Sequence, residues 1–138
     1  FVLDQYRSCW GWALQDGRTT WLEVFDTRWS HAHQWAGCPT WQLTRYVLGL
    51  HPRQDLGPRH FMVRLLPGSL PHAEGRVPVP GSDATVAVSW NRTPEGLKYR
   101  VETPSPIVLL LPGKTASDKP VSVTVDRVYE TTLMRGVR

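Results

Sequence analysis

Eleven of the twelve prolines lie from Pro52 onward, and that asymmetry divides the chain into two kinds of structure. Proline removes a backbone donor and clashes with the preceding helical turn, so a stretch punctuated by it every few residues cannot build long helices. Before Pro52 only Pro39 interrupts the chain. There the apolar residues Val2, Leu3, Tyr6, Cys9, Trp10, Ala13 and Leu14 recur at the three-and-four spacing of one helix face. Gly17 stands just past the last of them, where a left-handed residue closes a helix. A second helix is predicted with Pro39 at its first position, Trp41, Leu43, Tyr46, Val47 and Leu50 on its apolar side, and Gly49 and Pro52 closing it. Between the two, Thr19-Thr20-Trp21 begins an irregular connection from which Glu23 projects.

Beyond Pro52 the apolar period falls to two. Thr85 to Trp90 alternates large apolar side chains, and Leu97 to Glu102 alternates apolar with charged ones, so each predicts a strand with one buried face. Asn91 to Gly96 between them is turn-rich, which makes the pair a hairpin. Further strands are predicted at His60 to Leu66, Glu74 to Val79, Ile107 to Leu111 and Val121 to Tyr129, with Pro67-Gly68, Pro80-Gly81 and Pro112-Gly113 between them. The expected class is α+β: an N-terminal helical pair over residues 1–52, then a small antiparallel β-sandwich over residues 53–138.

Charge and cysteine content remove several function classes. The net charge of +4 resides in the second region, and its basic residues are scattered rather than clustered. A nucleic-acid footprint needs them on one face, interleaved with exposed aromatics, and Arg64, Arg76, Lys98 and Arg100 have no such stacking partners. No nucleic acid is expected as a partner. No membrane partner is expected either, since the longest apolar run, Ile107 to Leu111, cannot span a bilayer. Cys9 and Cys38 are too few and too far apart for a disulfide framework or a zinc site, so they are expected to be buried free thiols, and no metal or cofactor is expected. Asn91-Arg92-Thr93 matches a glycosylation triplet, more simply a chance match without evidence of secretion. The chain opens directly into a helical pattern, which suggests that its true beginning lies elsewhere.

Six of the seven tryptophans fall within the first 41 residues, around Glu23, Ser30, His31 and His33. Taken singly, each tryptophan reads first as core. Together with a carboxylate and an imidazole they suit a pyranose, whose C–H face packs on indole while its hydroxyls need donors and acceptors.

The ordered series Gly17-Arg-Thr-Thr-Trp-Leu-Glu23, Ser30-His31-Ala32, Pro39, and Leu43-Thr-Arg-Tyr-Val-Leu-Gly-Leu-His-Pro52 closely resembles the end of the catalytic barrel of bacterial and fungal α-L-rhamnosidases. The resemblance continues through Phe61 to Pro67, Ala73 to Gly75 and Val86 to Trp90, which look like the β-sandwich that follows that barrel. It covers about residues 10–112 and rests on the series, since no short motif in it is specific by itself.

That resemblance implies a glycoside hydrolase whose (α/α)6 six-hairpin barrel releases terminal L-rhamnose with inversion. Inversion needs a general acid and a general base about 6.5–9.5 Å apart. Glu23 matches the base, His31 matches a histidine that hydrogen-bonds the sugar, and Trp21 could line the pocket. His33 stands where such enzymes often carry an aromatic, and the loop from Glu23 to His31 is short beside many relatives. Relatives place the acid on earlier barrel segments. The resemblance therefore implies a C-terminal portion, inactive alone, whose partners are the remainder of the barrel and a rhamnose-containing glycoside or polysaccharide. The competing reading is a non-catalytic carbohydrate-binding or structural β-sandwich module. Its support would be exposed strand aromatics, of which Trp90, Tyr99 and Tyr129 are the candidates, Trp90 being in phase with the buried Val86 and Val88.

Overall fold

The computed structural model describes residues 1–113 and 119–134. The chain forms two compact units, Phe1–Gln42 and Leu43–Arg138.

The first unit begins with helical turns α1 (Val2–Gln5) and α2 (Gly11–Gln15), joined by wider turns over Tyr6–Trp10. There the Gly11 N–H reaches the Tyr6 carbonyl five residues back, the π-type spacing, where the apolar pattern predicts one regular helix. Gly17 closes the helix as expected. It adopts φ +74°; its N–H bonds the Leu14 carbonyl while the Arg18 N–H bonds that of Ala13, the paired geometry of a Schellman end. Residues 18–33 contain no helix or strand, a 3-10 turn spans Gln34–Gly37, and α3 covers Cys38–Gln42. The unit buries little: Ala13, Leu22, Ala36 and Pro39. Of the predicted face of the first helix only Ala13 is buried, while Val2 and Leu14 are 56% and 60% exposed. Cys9 and Cys38 are free and half-buried rather than buried.

The second unit starts with helical turns over Leu43–Leu48 and continues into β1 (Leu50–Pro52), β2 (His60–Val63), β3 (His72–Pro78), β4 (Thr85–Arg92), β5 (Gly96–Glu102), β6 (Ile107–Leu111), β7 (Val121–Val125) and β8 (Val128–Met134). Two four-stranded sheets result, ordered β1-β2-β6-β7 and β3-β4-β5-β8. They share one core, to which the first contributes Leu50, Phe61, Val63, Ile107, Leu109 and Val125, and the second Val77, Val86, Val88, Trp90, Tyr99 and Val101.

The class is α+β, with sheets rich in antiparallel pairs. Several details differ from expectation. β2 and β6 run parallel, with Phe61 opposite Leu109, so the sandwich is not wholly antiparallel. Local turns specify only antiparallel hairpins; this pair forms between segments separated by the whole β3-β4-β5 meander, and no nearby residue encodes it. Val121 to Tyr129 is two strands, because the chain leaves one sheet after Val125 and joins the other at Val128, a crossing held by the Thr103 N–H on the Arg127 carbonyl. Leu50 is strand, not helix. The units divide after Gln42, ten residues before the expected boundary at 52, so the Arg45-Tyr46-Val47-Leu48 turn belongs with the sandwich. Two buried polar tips explain why. Trp90 Nε1 donates to the Val47 carbonyl at 2.7 Å, and the Tyr99 hydroxyl donates to that of Leu48 at 3.1 Å. The last carbonyls of a helical segment lack partners within it, and here core side chains supply them. Burial drives the Tyr99 hydroxyl far above its ordinary pKa, so it stays a donor.

Candidate functional site around Glu23

Glu23 lies in the irregular excursion between α2 and the 3-10 turn. That segment is ordered by backbone bonds rather than by helix or sheet: the Glu23 N–H meets the Ser30 carbonyl and the His33 N–H meets that of Trp21, each at 2.9 Å. Thr20 Oγ1 bonds the His31 carbonyl. The outgoing stretch Trp21 to Glu23 and the returning stretch Ser30 to His33 are thereby laced together. At the tip, Asp26 is bonded and ion-paired to Arg28, which holds its carboxyl below the usual range. Leu22, only 4% exposed, turns the excursion's apolar side inward.

The lacing brings His33, and not His31, to the carboxylate. Glu23 Oε2 and His33 Nδ1 are 3.7 Å apart, both side chains are about three-quarters buried, and His33 Nδ1 is shielded from solvent with no hydrogen-bond partner. At 3.7 Å the contact is electrostatic rather than a hydrogen bond. The His33 ring lies 4.1 Å from that of Trp35, and Trp35 Nε1 donates to the Glu23 carbonyl at 3.1 Å. Glu23 thus meets His33 of the returning stretch through its carboxylate and Trp35 of the 3-10 turn through its backbone. His31 is exposed, with Nε2 2.7 Å from the Thr27 carbonyl at the tip. Trp21 is half-buried, its ring lying where a Cβ on Gly37 would approach to 3.6 Å. Sequence reasoning named His33 only as standing where an aromatic is common and Trp35 only among the clustered tryptophans, and gave neither a role at Glu23. His31 and His33 both lie on the returning stretch before the 3-10 turn, and only its register against Trp21 to Glu23 decides which imidazole meets the carboxylate.

Around this centre the indoles are largely solvent-facing. Trp12, Trp29, Trp35 and Trp41 are exposed, and Trp10 and Trp21 are half-buried, whereas Trp90 is fully buried. Tyr6, Trp10 and Phe25 form an edge-to-face series with centroids 5.3 and 4.7 Å apart. Trp10 Nε1 caps the Ala36 carbonyl at 2.7 Å, and Tyr6 bonds Gln42. These contacts tie helix, excursion and α3 into one unit.

The unit's other carboxylates are committed to cations. Asp4 pairs with Arg7, and Asp16 pairs with Arg18. Among the described residues no group of three His, Cys, Asp or Glu side chains comes together to hold a metal. A separate concavity of roughly 450 Å3 lies on the β3-β4-β5 sheet, lined by Glu74, Arg76, Ala87, Ser89, Arg100 and Glu102. It has no aromatic wall, and Arg100 is already bound to Glu102 and Glu130. Tyr99 is a core residue, which removes it from the exposed strand aromatics a carbohydrate-binding sandwich would use. No protein-family model, curated protein or solved structure matches the chain.

Proposed function

We propose that the first unit is the base side of an inverting glycoside-hydrolase site that releases terminal L-rhamnose from α-L-rhamnosides, with Glu23 drawing the proton from the attacking water. The observation that carries this is a Glu23 side chain still 23% exposed, its carboxylate 3.7 Å from His33 and its backbone carbonyl bonded by the exposed Trp35 indole. A base must be reachable by water and held in place, and a sugar needs a flat apolar face next to polar groups. In this reading His31, whose Nε2 is occupied by Thr27, presents its other nitrogen to a sugar hydroxyl, and Trp21 lines the floor. A general acid must be protonated before it acts. Asp4, Asp16 and Asp26 each face an arginine, and in this reading the acid comes from the remaining hairpins of an (α/α)6 barrel.

Two assays test the reading. The 138-residue chain alone is expected to show no turnover of an aryl α-L-rhamnoside, because protonation of the leaving oxygen, a contribution of about 10²–10⁴-fold, is absent along with the rest of the pocket. Joined to the remaining barrel it is expected to turn over, with inversion seen by NMR of the first-formed anomer. Retention of configuration, or turnover by the isolated chain, counts against it. Binding of sugar with no turnover in the assembled protein would favour the non-catalytic module.

A further inference from the structure

Four tryptophans of the first unit are exposed, and one of them, Trp35, is hydrogen-bonded to Glu23. It is the most exposed of them at 63%. An exposed indole is ordinarily a mobile apolar group and a liability. Trp35 is instead restrained twice, by the bond from Nε1 to the Glu23 carbonyl at 3.1 Å and by its ring contact with His33 at 4.1 Å and 40°. The partner in that contact is itself 3.7 Å from the Glu23 carboxylate. Trp21 lacks this disposition, being half-buried against Gly37.

We infer that Trp35, backed by His33, is the platform on which the apolar face of a pyranose rests, at a fixed distance from the Glu23 carboxylate. A platform fixed before the sugar arrives loses little entropy on binding, and one hydrogen-bonded to the backbone of the carboxylate residue sets where the ring lies relative to it. His33 acts as a positioning residue: it touches Trp35 and Glu23 and holds their separation. The preferred ligand is a sugar with a continuous C–H face, such as a 6-deoxypyranose whose methyl extends that face. This rests on the reading of the first unit as a sugar site.

The test uses the full 138-residue chain and saturation-transfer NMR with methyl α-L-rhamnoside, alongside methyl α-mannoside and methyl β-glucoside. Wild type is expected to bind saturably, with Trp35→Ala weakening affinity at least about tenfold, as loss of a stacked aromatic does. Trp35→Phe should retain part of it, His33→Ala should lose a few-fold, and Trp29→Ala should stay within about twofold. In wild type, intermolecular NOEs from the sugar should reach the Trp35 indole, which keeps the inference testable even if Trp35→Ala misfolds. Rhamnoside binding that survives Trp35→Ala with NOEs to Trp21 overturns the platform and leaves the sugar-site reading standing. Binding of mannoside or glucoside but not rhamnoside, lost in Trp35→Ala, supports the platform and overturns rhamnose as its sugar. Failure of all three sugars to bind the chain overturns the platform, while the base-side reading stands or falls with turnover in the assembled enzyme.

Discussion

His51 is 3% exposed, and neither ring nitrogen meets a partner at hydrogen-bonding geometry. Its pKa is lowered, first by burial and then by the charge of Arg45, with Arg64 adding in the same sense; nearby backbone of Arg64 and Arg45 offsets part of the effect. The Tyr46 ring meets it edge-on at 5.8 Å. A histidine whose native pKa is depressed binds fewer protons folded than unfolded, so its contribution to stability is complete above the unfolded value near 6.5 and declines as pH falls toward the lower folded one. The urea midpoint of the chain should therefore fall between pH 7 and pH 5, and His51→Phe should remove part of that slope. An unchanged slope in the variant would show that His51 charges without cost. At Glu23 the expectation is kinetic. Glu23→Gln keeps shape and backbone contacts, so in the assembled enzyme kcat should drop about 10²–10⁴-fold with KM little changed. Near-normal kcat would make Glu23 structural.

At the scale of elements, the sandwich depends on close backbone approach and on polar tips within its core. Gly96 opens β5 against β8, where an added Cβ would lie 2.3 Å from the Leu133 carbonyl oxygen, a backbone atom that cannot move aside without breaking the ladder. Gly96→Ala should destabilise by about 2 kcal/mol or more, read from chemical denaturation of the full chain. Tyr99→Phe removes less, a single hydroxyl, but leaves the Leu48 carbonyl buried without that donor; a loss of about 1–3 kcal/mol is expected. The β4-β5 hairpin was legible because its apolar period is two, and β6 because proline and glycine bound a continuous apolar run, whereas β1 was expected as helix and β7 and β8 as one strand. Ile107–Leu111 has its expected bounds, and the β4-β5 hairpin lies where Asn91 to Gly96 predicted a turn. The helical segments were legible in kind but not in pitch, since the same apolar spacing serves α and π turns.

For the whole molecule the consequential difference is the boundary at Gln42. A chain cut before residue 53 loses the Val47 and Leu48 carbonyls and strands the Trp90 and Tyr99 donors, both in the fully buried core. Residues 43–138 are therefore expected to fold cooperatively alone, and residues 53–138 to be less stable by about 5 kcal/mol or more, since the cut leaves two buried donors unsatisfied at about 1–3 kcal/mol each and removes β1 with the buried Leu48 and Leu50. Equal stability of the two would remove those hydrogen bonds from the account. In limited proteolysis of the intact chain, cleavage should concentrate in residues 1–42, where four residues form the buried core against fourteen in the second unit. Among the described residues no helix is long and apolar enough to cross a membrane.

The sequence by itself determined what depends on neighbours along the chain: the α+β class, the change of period near Pro52, the Schellman end at Gly17, and the projection of Glu23 from an irregular connection. Period, proline and glycine act within a few residues, so they can be read without knowing what packs on what. Tertiary structure alone decided the parallel pairing of β2 with β6, the transfer of residues 43–52 to the sandwich, and the meeting of Glu23 with His33 and Trp35. Each of these turns on register between distant segments. A register is fixed by the sum of many burial and hydrogen-bond terms across the fold, and no single residue carries it.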